Sequence, residues 1–165
     1  MIRAVKLEDA NEIAEIYNYY ILNSCITFEE LAVSTEEMRG RIQTSSLKFP
    51  WLVFEKDNEI IGYAYTSDWK ARAAYKNTVE TTVYLKNGAT KKGIGSLLYK
   101  ELLVQLTDLG FHAVIGGISL PNEASIALHE KFGFEKIAQF KEVGYKFKKW
   151  IDVGYWELII NKNRI

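Results

Sequence analysis

Seven residues, Thr90-Lys91-Lys92-Gly93-Ile94-Gly95-Ser96, join a run with strand periodicity to a run with helix periodicity. No other feature constrains the chain as much. Before the junction, Val79, Thr81, Val83 and Leu85 alternate with Glu80, Thr82 and Tyr84, the pattern of a strand with two distinct faces. After it, Leu97, Leu98, Leu102, Leu106 and Leu109 recur at helical spacing, and Gly110 closes the helix. Glycines in such a loop let the backbone approach a ligand closely and turn its N–H groups toward one point. The helix N-terminus adds unpaired donors and a positive dipole end. The junction therefore reads either as a tight turn whose glycines serve geometry alone, or as an anion site suited to a pyrophosphate. The G-K-[ST] of a phosphate loop and the third glycine of the dinucleotide fingerprint are both missing. Lys91 and Lys92 are placed to reach phosphate oxygens or to stand in solvent.

The rest of the chain builds outward from this unit. Asp9 and Glu12 have capping-box spacing ahead of Ile13, Ile16, Tyr17, Tyr20 and Ile21, and Ser34 with Glu37 repeats it before Met38 and Ile42. Trp51–Glu55 and Ile60–Thr66 are β-rich runs joined by Lys56-Asp57-Asn58-Glu59, a hairpin signal. Ala113–Ile118 reads as a strand, Ala124–Phe132 as a short helix after Asn122, and Phe134–Phe140 and Val153–Ile160 as closing strands. Helices first, then an antiparallel hairpin, then a strand–loop–helix–strand crossover, predict a mixed α/β sheet with helices on both faces. With 165 residues, and with no repeat or linker, a single domain over 1–165 is expected.

Composition narrows the function. Lys and Arg number 21 against 21 Asp and Glu, so the basic surplus of a nucleic-acid binder is missing. One cysteine, Cys25, precludes an internal disulfide and reads as a small packing residue. Cys/His metal spacing is not found, so no metal is expected. The apolar runs fall short of the roughly 20 residues of a membrane span, and no signal-peptide pattern opens the chain. A cytoplasmic protein without a membrane partner is the expectation.

The chain resembles the GNAT superfamily of N-acetyltransferases. A strand, then Q/R-x-x-G-x-G/A, then a helix is that family's coenzyme A motif, and the nearer likeness is to phosphinothricin and methionine-sulfoximine acetyltransferases. The likeness extends over nearly the whole chain. It includes Phe49-Pro50-Trp51-Leu52-Val53, Trp69-Lys70-Ala71-Arg72 with Ala74-Tyr75, and Thr78-Val79-Glu80 with Val83-Tyr84. It continues through Leu120-Pro121-Asn122, Leu128-His129-Glu130-Lys131 before Gly133-Phe134, Gly144-Tyr145-Lys146, and Trp150-Ile151-Asp152-Val153-Gly154. Thr90 departs from the pattern, standing where the family has Gln or Arg, which puts one side-chain contact of the loop in doubt.

The resemblance implies a mostly antiparallel GNAT sheet with a splayed strand pair, acetyl-CoA as co-substrate, and a homodimer. It implies that the loop Thr90, Lys91, Lys92, Gly93, Ile94, Gly95, Ser96 holds the pyrophosphate. The backbone of Val83, Tyr84 and Leu85 would pair with the pantetheine amides, as in strand addition. Asn122 is an N-cap by position, and the resemblance adds a hydrogen bond to the pantetheine arm.

Acetyl transfer to an amine needs a proton acceptor, and the pattern of Glu80 fits either a solvent-facing side chain or a desolvated carboxylate of raised pKa. The family's proposed base aligns with Glu80. His129 aligns where many relatives place a proton donor for the departing thiolate, and an imidazolium donates near neutral pH without a large shift. Arg72 can grip a carboxylate bidentately, so Arg72, Tyr75 and Phe28 imply an amino-acid acceptor. Tyr63 and Trp150 are further aromatic candidates for the pocket wall, or core. The dimer surface is expected on Trp156–Ile160. The reading is direct transfer in a ternary complex to a small amino acid or analogue. A peptide or polyamine acetyltransferase, and a non-catalytic acyl-CoA binding module, are the alternatives.

Overall fold

A computed structural model describes residues 1–89 and 93–161. Thr90, Lys91 and Lys92 lie outside them. The chain runs β1 (Ile2–Ala4), α1 (Ala10–Asn23), α2 (Thr35–Ser46), β2 (Trp51–Lys56), β3 (Glu59–Asp68), β4 (Thr78–Leu85) and α3 (Ile94–Asp108). It continues through β5 (Ala113–Ser119), α4 (Glu123–Lys131), β6 (Glu135–Lys146) and β7 (Lys149–Ile159). One sheet forms in the order β1-β2-β3-β4-β5-β7-β6. Every pairing is antiparallel except β4 with β5.

Two-faced strands give two cores. Trp51, Val53, Tyr63 and Tyr84 point to one side, where Ile13, Tyr17 and Ile21 of α1 and Met38 and Ile42 of α2 cover them. Leu52, Ala64, Val79 and Val114 point to the other, under Leu98, Tyr99, Leu102 and Leu106 of α3. Leu98, Leu102 and Leu106 repeat every four residues and share this face, whereas Leu97 and Leu109, the ends of the expected stripe, are exposed.

The parallel pair positions the site. Thr78, Val79 and Glu80 pair with Ala113, Val114 and Ile115, and there the ladder stops. Beyond it β5 continues against β7 while β4 continues against β3 alone. The splayed pair implied by the resemblance is therefore present, and the backbone of β4 after Glu80 has no strand partner on its β5 side.

Three local expectations change. Asp9 and Glu12 do not form a capping box. Asp9 is buried, accepts from the Lys6 amide at 2.7 Å and is gripped by Arg3 through both nitrogens, tying β1 to the helix start. Glu12 accepts from the Ile60 amide at 2.8 Å and so anchors the β2–β3 hairpin. Only half of the second box forms: Ser34 Oγ accepts from Glu37 N, but the Glu37 carboxylate is drawn to Arg41. The final hairpin is also longer than its apolar runs, because β6 and β7 meet at Phe147 and Lys148, both with positive φ. No helix among the described residues is long and apolar enough to cross a membrane.

Candidate active site

Where β4 leaves β5, three cavities line up. A groove of about 450 Å³ is lined by Val83, Tyr84 and Leu85, by Gly93, Gly95 and Ser96 at the start of α3, and by Asn122 and Lys131 from the α4 region. Gly93 sits in the left-handed region (φ 77°), turning the chain into α3 without a side-chain cap and with no acidic residue in the first turn. The first N–H groups of α3 thus have no acceptor among the described residues and stand at a positive dipole end. Lys131 Nζ donates to Ser96 Oγ at 3.0 Å and adds a cation that sequence reasoning missed. Asn122 caps α4 by accepting from Ser125 N at 3.1 Å. Ile94 is buried, so its side chain belongs to the core and its amide alone is available to a ligand.

The groove opens into a smaller pocket of about 240 Å³ that holds Glu80, Tyr17, Thr27, Tyr65, Thr82, Ser119 and His129. Val83, Tyr84, Asn122 and Ser125 line both. Glu80 is half-buried, and its removal from water raises its pKa above the usual carboxylate value. On the far side of Tyr17 and Tyr65 lies a third cavity of about 570 Å³ beneath α2, with an aromatic wall of Trp51, Tyr63 and Tyr65.

Two consecutive glycines of β5 make room for the pocket. A Cβ on Gly116 would fall on the His129 ring, and a Cβ on Gly117 would lie 2.9 Å from Glu80 Oε1. Successive residues face opposite sides of a strand, so each glycine clears one of the two titratable groups. The consequences differ. The Glu80 carboxylate ends a flexible chain, whereas the His129 ring is buried and rigid. Gly116→Ala is expected to cost about 1–3 kcal/mol in chemical denaturation. Gly117→Ala should stay within about 0.5 kcal/mol of the parent yet lower kcat/KM about tenfold, because it moves the carboxylate.

His129 departs from expectation. Its Nδ1 lies 2.7 Å from the Ser125 carbonyl, which can only accept, so Nδ1 carries the hydrogen. Burial pushes the ring's pKa below 6.5 and keeps it neutral, and Nε2 has no partner among the described residues. A neutral ring protonated on Nδ1 has no proton on Nε2 to give. A proton-donor role would therefore need a second proton on Nε2, which is disfavoured by a burial that the helical pattern does not reveal.

The structure does not bring Arg72 and Tyr75 to Glu80. Both are exposed on the segment between β3 and β4 and line none of the three cavities. That segment is rich in lysine and alanine, and it rests on the sheet through Trp69, whose ring meets Tyr155 edge-on at 5.4 Å. Phe28 is 41% exposed, on the loop whose Thr27 lines the Glu80 pocket. Tyr63 is core, and Trp150 is exposed on the outer hairpin. Tyr17, Thr27 and Tyr65 were not legible as site residues, since an aromatic at helical or strand spacing reads as core.

Residues 2–154 match the family model described as the acetyltransferase (GNAT) domain. The chain belongs to the GNAT acetyltransferases and is an enzyme of that class. It is 36% identical over 156 residues to the phosphinothricin N-acetyltransferase of Streptomyces viridochromogenes, covering 94% of this chain and 85% of that enzyme. To the L-methionine sulfoximine/L-methionine sulfone acetyltransferase of Salmonella typhimurium it is 32% identical over 163 residues, covering 98% and 95%. A phosphinothricin acetyltransferase from Sinorhizobium meliloti, solved in complex with acetyl-CoA, superposes with a TM-score of 0.93 at 36% identity, over 96% of this chain and 87% of that one.

Proposed function

We propose that the protein transfers the acetyl group of acetyl-CoA to the primary amine of a small amino acid or analogue, of the phosphinothricin or methionine sulfoximine and sulfone type. The observation that carries this reading is the half-buried Glu80 in the pocket that adjoins the groove. The names of the relatives support the substrate class.

The residues present fit acetyl-CoA. The N–H groups of Gly93, Ile94, Gly95 and Ser96, which have no acceptor among the described residues, suit a pyrophosphate with Lys131 beside them. The β4 edge at Val83, Tyr84 and Leu85, which has no strand partner on that side although the Tyr20 hydroxyl donates to the Leu85 carbonyl at 2.6 Å, suits the pantetheine amides, with Asn122 opposite. When bound, acetyl-CoA supplies the activated acetyl group and a thiol leaving group. Glu80 takes one proton from the incoming ammonium, directly or through water, and so frees the nucleophilic lone pair. Of the two protons left on the amine, one stays in the product amide and the other balances the thiolate. No charged side-chain acid is then needed, which agrees with a neutral His129.

Thiol release from acetyl-CoA, measured with phosphinothricin, methionine sulfoximine, methionine sulfone, a polyamine and a short peptide, tests this reading. Turnover confined to the amino-acid analogues is expected. Turnover of the polyamine or peptide alone would replace it.

We also infer a homodimer, but not through Trp156–Ile160. β7 is internal, between β5 and β6, and Trp156 is 2% exposed in the core. A run of exposed apolar side chains instead lies on β6, at the sheet edge: Ile137, Phe140, Val143 and Tyr145, with Trp150 beside them. Sedimentation should give twice 19.0 kDa, falling to 19.0 kDa in a Phe140→Lys variant. A parent mass of 19.0 kDa at all concentrations would exclude the dimer.

A further inference from the structure

Gly144-Tyr145-Lys146 has no part in the chemistry above, yet Lys146 is 2% exposed, an unusual place for a lysine. Its position follows from a bulge. After a first shift at Ile137, β6 and β7 pair from Ala138 with Tyr155 to Phe140 with Val153 and resume at Gly144 with Ile151, so Lys141, Glu142 and Val143 face Asp152 alone. Glu142 takes a positive φ of 55°, and Asp152 holds it by accepting from the Glu142 amide at 2.9 Å and from Gln139 Nε2 at 2.8 Å. A bulge re-aims the side chains that follow it. Here it turns Gly144 and Lys146 inward, whereas the strand before it is mostly exposed.

Both inward residues meet the loop between α1 and α2. The Phe28 ring lies where a Cβ on Gly144 would be, and Lys146 Nζ donates to the Thr27 carbonyl at 2.8 Å. From Thr27 the contacts continue to the pocket wall. Thr27 Oγ1 and Tyr17 OH are 2.8 Å apart, and Tyr17 OH donates to Glu29 Oε1 at 2.8 Å. Arg41 then grips both oxygens of Glu29 from α2, at 2.7 and 3.0 Å. Tyr17 and Thr27 line the pocket of Glu80.

We propose that Gly144 and Lys146 form a clamp that holds the loop of Thr27 and Phe28 in place as the acceptor-side wall, making Lys146 a positioning residue for acceptor binding. The clamp rests on the amine acceptor lying in the Glu80 pocket. Its hydrogen bonds lie apart from the Val83–Leu85 edge and the start of α3, but Ile26 of the same loop lines both cavities, so acetyl-CoA binding should change much less than acceptor binding.

Lys146→Met keeps the length and apolar stem of the side chain while removing the donor. Losing that hydrogen bond is expected to raise the acceptor KM about tenfold, with kcat and acetyl-CoA affinity by calorimetry each within about twofold. Amide hydrogen exchange across residues 24–33 should accelerate about tenfold. Tyr17→Phe should add less to acceptor KM in the Lys146→Met background than in the parent, because the two act on one network. Gly144→Ala, which displaces a half-exposed ring and leaves the buried lysine alone, should raise acceptor KM in the same direction. It decides the matter if Lys146→Met does not fold. Unchanged acceptor KM in a folded variant, or equal shifts in both substrates, would overturn the clamp. A parent enzyme that acetylates no amino acid would instead remove the substrate reading. Hydrogen exchange across residues 24–33 would still decide the clamp, with unchanged rates counting against it.

Discussion

Glu80→Gln lowers kcat about 100-fold at pH 7, the usual scale for losing a general base and equal to about 2.7 kcal/mol of barrier. Acetyl-CoA affinity should be nearly unchanged, because Glu80 lies in the pocket beyond the groove. Stability should move the other way. Burial raises the carboxyl pKa above 4.5, so between 4.5 and the native value the unfolded chain ionises first. Native Glu80 therefore costs stability progressively as pH rises through that window. Gln does not titrate, and the variant should be at least as stable as the parent at pH 7 by thermal unfolding. A variant that is slower yet no less stable identifies a residue kept for chemistry. A variant that is slower because it is partly unfolded would assign Glu80 to structure.

The second large effect is expected in the groove. Gly95 has ordinary space for a Cβ, 3.7 Å from Leu85 Cδ1 and 3.9 Å from Leu128 Cδ2, so Gly95→Val should fold. Its branches would enter the groove at the first turn of α3. We expect acetyl-CoA affinity to fall about 100-fold in calorimetry, about 2.7 kcal/mol. Gly93 makes a weaker test. Its φ of 77° would cost a side chain about 1–2 kcal/mol regardless of ligand, so a Gly93 variant mixes backbone strain with lost binding. Unchanged affinity in folded Gly95→Val would remove the start of α3 from the site.

What the sequence carried and what it left out divide along physical lines. Alternation in β4 and the leucine stripe of α3 are local patterns, and both elements stand where those patterns placed them. Asp57 and Asn58 tolerate the left-handed conformation, so the first hairpin turn was legible. Phe147 and Lys148 adopt the same conformation without a turn residue between them, and the second hairpin's extent was not. Asp9 and Glu12 had the right spacing for a box, but a nearby guanidinium and a strand amide compete better for their carboxylates. His129 was placed correctly on α4, yet its charge follows from what surrounds it. Gly116 and Gly117 read as ordinary strand residues until the two groups they clear are known.

The central claim is that Glu80 receives the acceptor's proton. The most direct measurement is the pH dependence of kcat/KM for the parent and Glu80→Gln, side by side, with one amino-acid acceptor. An α-ammonium group has a pKa near or above about 8 in water, so free amine is scarce at pH 7 and becomes abundant as pH rises past that value. The deficit of the variant should shrink as pH rises through that range, and the acid limb of the parent, set by the raised Glu80 pKa, should vanish in the variant. A deficit of the same factor at every pH, with the acid limb retained, would contradict the account.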